Sequence, residues 1–88
     1  MPEVDDALMW EVRAAPGRMP ELLDWIDRTA LPLLRNANAA DVYRSTEDRL
    51  VVVAHFAGDP VFLPDPPRGL VARPAHQWTF ERIRRVHG

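Results

Sequence analysis

The chain has 88 residues, 47% of them hydrophobic, with no cysteine and a formal net charge of −2. One domain spanning residues 1–88 is therefore expected, disulfides and thiolate metal sites are excluded, and binding of nucleic acid through a basic face is not expected. No apolar run reaches the roughly 20 residues that a transmembrane helix needs, and the acidic residues 1–6 are unlike a signal peptide, so we expect a cytoplasmic protein with no membrane partner.

An alternating pattern predicts the first strand over residues 8–14. The even positions are apolar: Leu8, Trp10, Val12 and Ala14. The odd positions are Met9, Glu11 and Arg13. A period of two with a large aromatic residue is typical of a half-buried strand. Pro16 and Gly17 then predict a turn.

Residues 19–35 change to the spacing of a helix. The apolar positions are Met19, Leu22, Leu23, Ile26, Ala30, Leu33 and Leu34. Pro20 suits the first helical turn, whereas Pro32 removes a hydrogen bond. We therefore expect a kink, or a break in which Pro32 opens a second helical piece capped by Thr29. Trp25 lies off the main apolar stripe, which hints at an interface or a pocket mouth.

A hairpin is predicted next, with a short strand over residues 41–45 and a polar turn at residues 46–48. Residues 50–56 give the strongest strand pattern in the chain, with Leu50, Val52, Ala54 and Phe56 on one face. The other face, with Val51, Val53 and His55, is also largely apolar. Apolar residues on both faces predict a central strand that is covered on both sides.

Residues 58–74 hold five of the nine prolines, which excludes a long helix or a central strand. Because this segment also carries apolar side chains, we expect an ordered loop packed over apolar surface, with a short turn of helix. Residues 77–86 then return to a strand pattern, in which Trp78 and Phe80 share a face.

The predicted order is β-α-β-β-(loop)-β, an α+β arrangement of the ferredoxin-like kind. The loop occupies the place of the second helix of that plan. Strands one and three would form the inner pair. A domain this small has a modest core, and without disulfides it is expected to gain stability as a homodimer.

This order resembles the antibiotic biosynthesis monooxygenase-like family. The similarity rests on residues 10–23, a strand that runs through Pro16 and Gly17 into a helix, and on residues 42–54, a hairpin containing Tyr43 and Arg44. The resemblance implies a ferredoxin-like fold, a homodimer with two facing sheets that forms a dimeric α/β barrel, and a pocket between sheet and helices.

The second helix of the family is replaced here by the proline-rich loop. In haem-degrading relatives that helix supplies the haem-ligating histidine, and no histidine lies between Gly58 and Ala75. No catalytic residue is carried over from the family. We expect no cofactor and no metal, since the three histidines are scattered without helical spacing.

Four residues are candidates for a site. His55 would serve as a proton acceptor, or else is a buried, hydrogen-bonded neutral histidine. Trp10 and Trp78, on strands that should pair, would form one aromatic wall for a planar ligand, or else pack in the core or a dimer interface. Tyr43, with Arg44, would orient a polar ligand group, or else lies at a solvated strand edge.

Two functions follow from these residues and from the resemblance. One is a cofactor-independent oxygenase acting on an apolar aromatic metabolite, with His55 as proton acceptor and Trp10, Tyr43 and Trp78 lining the pocket. The alternative is a non-catalytic dimeric module that binds a small ligand or a partner protein, with the apolar side chains of the proline-rich loop as contact surface.

Overall fold

The computed structural model describes residues 6–87, which form one four-stranded sheet and one α-helix. The elements are β1 (Asp6–Arg13), α1 (Met19–Trp25), β2 (Ala39–Ser45), β3 (Arg49–Phe56) and β4 (His76–Glu81). All strand pairs are antiparallel, in the order β2-β3-β1-β4. The α+β class and the inner position of strands one and three are confirmed. Among residues 6–87, no helix is both long enough and apolar enough to cross a membrane.

The two central strands pair along their whole length, from Asp6 opposite Phe56 to Arg13 opposite Arg49. Because side chains alternate along a strand, the even-numbered residues of both strands point to the same side and are buried there: Leu8, Trp10, Val12, Leu50, Val52, Ala54 and Phe56. The predicted faces of both strands are confirmed. On the other side, Val51, Val53 and His55 are only half-buried, so within one chain the predicted cover of β3 is present on one face alone.

The helical segment changes its winding twice before it ends. Pro20 lies in the first turn of α1, as predicted. A π-helical turn, Ile26–Ala30, follows, in which the Leu31 N–H donates to the Ile26 carbonyl. A 3₁₀ helix, Leu31–Leu34, then carries Pro32 in its opening turn. The break at Pro32 is confirmed.

The predicted cap by Thr29 is wrong. Thr29 lies inside the π-helical turn, and the residue before the 3₁₀ helix is Ala30, which keeps helical dihedral angles and makes no side-chain cap. The chain changes its hydrogen-bond spacing at this point without leaving the helical conformation, so no extended capping position exists.

The core lies between the inner side of the sheet and a cover made of the helical segment and the proline-rich loop. Leu22, Ile26, Ala30 and Leu34 contribute from the helical segment, and Leu63 and Leu70 contribute from the loop. The predicted ordered loop over apolar surface is therefore confirmed, including a short 3₁₀ helix at Arg68–Leu70.

A side chain of β4 holds this loop on the sheet. The Leu63 N–H donates to Gln77 Oε1 at 2.9 Å, and Gln77 Nε2 donates to the Leu63 carbonyl at 2.9 Å. The two bonds satisfy both backbone groups of a buried loop residue that has no strand partner, which fixes the loop in place of the missing second helix.

The ends of the strands differ from the sequence prediction by five residues at the end of β4 and by at most two residues elsewhere. β2 begins at Ala39 and is exposed along its whole length, as an edge strand. β4 ends at Glu81, opposite Asp6, so the predicted strand over residues 77–86 is wrong beyond Glu81. The hairpin turn at residues 46–48 is confirmed, with Glu47 and Asp48 at φ of 64° and 59°.

Candidate functional site

Within residues 6–87, no segment covers the side of the sheet turned away from α1, and we call it the open face. Its apolar and aromatic side chains are Met9, Tyr43, Val51, Val53, Trp78 and Phe80. Four of them keep a large exposed fraction, namely 36% for Met9, 55% for Tyr43, 45% for Trp78 and 52% for Phe80. Contiguous apolar surface of this kind marks a binding or interaction site more often than single exposed residues do.

A row of apolar side chains crosses the middle of this face. Val53 on β3 lies opposite Met9 on β1, and Met9 in turn lies opposite Trp78 on β4. The ring of His76 packs edge-on against Trp78, with ring centroids 5.9 Å apart and planes at 68°. The open face is therefore continuous across three strands.

His55 lies on the open face, near one end of β3. It is opposite Ala7 on β1 and opposite Ala39 on β2, so only small side chains flank it across the sheet. Its backbone carbonyl accepts a hydrogen bond of 2.7 Å from the Asn38 N–H. The side chain is half-buried, which fits either a buried structural histidine or a group that a ligand on this face would reach.

Trp10 belongs to the core, and the predicted aromatic wall of Trp10 and Trp78 is wrong. Trp10 is fully buried and stacks on Trp25, with ring centroids 6.3 Å apart and planes at 26°. The strands that carry Trp10 and Trp78 do pair, as predicted, but Trp10 lies opposite Gln77 and Trp78 lies opposite Met9. The two indoles are therefore on opposite sides of the sheet.

Trp25 is a contact of the core rather than the mouth of a pocket, because its ring packs on Trp10. Tyr43 is exposed on β2, opposite Val51, and its strand is separated from that of Trp78 by β3 and β1. Three of the four predicted site residues, His55, Tyr43 and Trp78, thus share the open face. They do not converge in one pocket within a single chain.

One end of the open face is charged. Glu11 accepts a hydrogen bond of 2.8 Å from Arg73 Nη2. It also forms an ion pair with Arg49, whose Nε lies 3.3 Å from the other carboxylate oxygen. Arg13 and Glu47 form a looser pair at 3.8 Å. Cross-strand pairs of opposite charge stabilise a sheet. This network was not predicted from the sequence, although Glu11 and Arg49 both lie at polar positions of otherwise apolar strands.

A separate groove of about 380 Å³ lies in the proline-rich loop. Its charged lining residues are Asp65, Arg68 and Arg73, and its apolar ones include Pro66, Val71 and Pro74. The sequence predicted a contact surface in this loop but not a groove. Among residues 6–87, no group of three or more histidine, aspartate or glutamate side chains is placed to hold a metal ion.

Comparison with known proteins gives a fold and no activity. No protein-family profile matches the chain, and no curated protein is detectably similar to it in sequence. The crystal structure of NE2512, a protein of unknown function from Nitrosomonas europaea, is similar with a TM-score of 0.70. The two are 18% identical, over 98% of this chain and 96% of that one. The fold is therefore shared over nearly the whole of both chains.

Proposed function

We propose that this chain works as a homodimer in which the open faces of two sheets pack against each other. This is the arrangement of the dimeric α/β barrel that the antibiotic biosynthesis monooxygenase-like resemblance implies. The observation that carries the proposal is the apolar open face itself, on which Met9, Trp78 and Phe80 are 36%, 45% and 52% exposed.

The size of the open face fits this proposal. Four strands of six to eight residues, with about 3.4 Å per residue and about 4.8 Å between strands, give the face roughly 470 Å² in projection. Protruding side chains raise its accessible area above that value. A stable interface buries about 800 Å² on each partner. The open face of one chain is thus of the size that a second copy needs.

We propose that the dimer is a non-catalytic binding module for a small apolar or aromatic ligand, held between the two sheets. The inner side of the sheet offers no room for one, because Leu8, Trp10 and Val52 are fully buried there. On the open face, Tyr43 and Trp78 would present aromatic rings to the space between the sheets. Such rings stack on planar ligands.

The second candidate function is a cofactor-independent oxygenase, favoured by the position of His55 on the same face as Tyr43 and Trp78. In such a reaction the substrate supplies the electrons that reduce oxygen. The protein supplies orientation, exclusion of water and a proton acceptor. Full activity of a His55→Ala variant on an identified substrate would contradict the role of His55.

The dimer is tested by two variants that place one glutamate on apolar residues of matched exposure. Trp78 on the open face is 45% exposed, and Leu33 on the 3₁₀ helix is 46% exposed. We expect sedimentation equilibrium to show a dimer for the parent chain and for Leu33→Glu. Trp78→Glu should dissociate about 100-fold more readily, since a buried unpaired carboxylate costs several kcal/mol. A monomeric parent chain, or equal dissociation of both variants, would contradict the proposal.

The ligand is tested by native mass spectrometry of freshly purified protein without added ligand. We expect a dimer that carries a non-covalent adduct of a few hundred daltons. A clean dimer would count against the ligand while leaving the dimer in place, whereas a clean monomer would count against both.

A further inference from the structure

The groove in the proline-rich loop is the feature that the proposed dimer leaves unused. Its volume, about 380 Å³, falls within the range of small-ligand sites, about 300 to 1,000 Å³. It lies beside the end of β1, where Val71 forms a bridge with Ala14 and the Ala72 N–H donates to the Arg13 carbonyl at 2.9 Å. One wall of the groove is therefore tied to the sheet.

Two prolines restrict the backbone in the apolar part of the groove. Pro66 is buried, and Val71 and Pro74 complete the apolar lining. Proline has a fixed φ, and the 3₁₀ helix at Arg68–Leu70 holds the chain between the two walls. A preformed wall loses little conformational entropy when a ligand binds, which raises the affinity for a small molecule.

The charges that line the groove are unequal, with two arginines and one aspartate. Arg73 is held by its ion pair with Glu11, at 2.8 Å. The Arg68 guanidinium and the Asp65 carboxylate make no hydrogen bond or ion pair with any other residue in the range 6–87. A free guanidinium beside a second, fixed one is suited to an anion, because the planar fork of arginine matches a carboxylate.

We propose that this groove binds a small carboxylate with an apolar body. The carboxylate pairs with Arg68, since the charge of Arg73 is largely offset by its ion pair with Glu11. Pro66, Val71 and Pro74 contact the apolar part of the ligand. Asp65 opposes the negative charge and so limits the affinity. Of the groove residues, Arg73 alone reaches the charged end of the open face, where it pairs with Glu11, so the pairing of the carboxylate with Arg68 does not depend on the dimer.

The test is a titration of the full chain with benzoate, followed by ¹H–¹⁵N correlation spectra. We expect saturable shifts at the amides of Val71, Ala72 and Arg73, which lie in the groove. Benzamide has the same shape without the charge, and it should bind about tenfold more weakly or worse. Inorganic phosphate, which lacks the apolar body, should also bind about tenfold more weakly or worse.

Three variants test which charged residues contribute to benzoate binding. Arg68→Gln should weaken benzoate binding about tenfold. Asp65→Asn should tighten it about threefold, because it removes a like charge. Arg35→Gln is the control, since Arg35 is also exposed but lies at the end of the 3₁₀ helix that follows Ala30. The same spectra show whether each variant is folded.

The proposal is overturned if benzoate gives no saturable shift up to about 50 mM. Benzamide binding as tightly as benzoate would overturn it as well, because the negative charge of the ligand would then not matter. Phosphate binding as tightly as benzoate would also overturn it, because the apolar wall of the groove would then not matter. A loss of benzoate affinity in Arg35→Gln equal to that in Arg68→Gln would overturn it too. None of these results depends on whether the protein is a dimer, which sedimentation measures separately.

Discussion

The two sides of the sheet are built from alternate residues of the same strands, yet within residues 6–87 only one side is covered. On the inner side, Leu8 and Trp10 are fully buried beneath the helical segment and the loop. On the open face, Met9 lies between them in sequence and is 36% exposed. Hydrophobic residues occur on both sides, so the difference comes from the cover and not from the strands. We therefore expect the apolar residues of the open face to contact a molecule outside the chain.

The largest expected effect is a loss of stability when the tryptophan of the inner side, Trp10, is replaced, compared with the tryptophan of the open face, Trp78. Trp10→Ala should destabilise the fold by about 3–5 kcal/mol, since it empties a buried site and removes the partner of Trp25. A domain of this size has only about 4–13 kcal/mol of stability. Trp78→Ala should lower the stability of the isolated chain by less than about 1 kcal/mol. Urea unfolding followed by circular dichroism measures both.

Measuring the unfolding of Trp10→Ala and Trp78→Ala at several protein concentrations provides the control. If open faces associate, the unfolding midpoint of the parent chain rises with concentration, and Trp78→Ala should reduce that rise. Equal losses of stability from the two substitutions, both independent of concentration, would show that the two sides of the sheet do not differ as described.

A smaller effect is expected at the contact that holds the loop over the inner side. Gln77→Ala leaves the buried N–H and carbonyl of Leu63 without partners and should cost about 2 kcal/mol. Thr79→Ala, on the same side of β4, should cost less than about 0.5 kcal/mol. Hydrogen exchange at the Leu63 amide should speed up in Gln77→Ala alone. Unchanged protection there would mean that the side chain of Gln77 does not hold the loop.

The smallest effect is expected at the charged end of the open face. Glu11→Gln removes the ion pairs with Arg49 and Arg73, whose side chains are partly exposed, so the cost should be about 1 kcal/mol or less. The loss should shrink in 1 M salt, because salt screens such pairs. Glu21→Gln, at a more exposed pair with Arg18, should change stability less. A salt-independent loss at Glu11 would point to packing instead of charge.

Features of the fold that depend on local periodicity and on proline could be predicted from the sequence. The period of two over residues 8–14 and 50–56 identified the buried faces of both central strands. Pro20 and Pro32 marked the start and the break of the helical segment, because each lacks an N–H. The proline content of residues 58–74 identified an ordered loop in place of a helix.

The candidate site was less predictable, since it depends on register between strands. A shift of one residue moves a side chain to the other side of the sheet, and no local pattern revealed that Trp10 lies opposite Gln77 rather than Trp78. The stacking of Trp25 on Trp10 also depends on tertiary packing. The groove joins Asp65 to Arg73 through an irregular loop, whose path has no sequence period.

Whether a second copy covers the open face, as we propose, can be measured with an isotope-filtered NOE experiment. Equal amounts of ¹³C,¹⁵N-labelled and unlabelled chain are mixed, and only contacts between the two are observed. A dimer formed through the open faces should give intermolecular NOEs from the Met9 methyl group and the Trp78 ring, and none from Leu33. Intermolecular NOEs confined to residues outside the open face, or none in a sample that diffuses as a monomer, would contradict it.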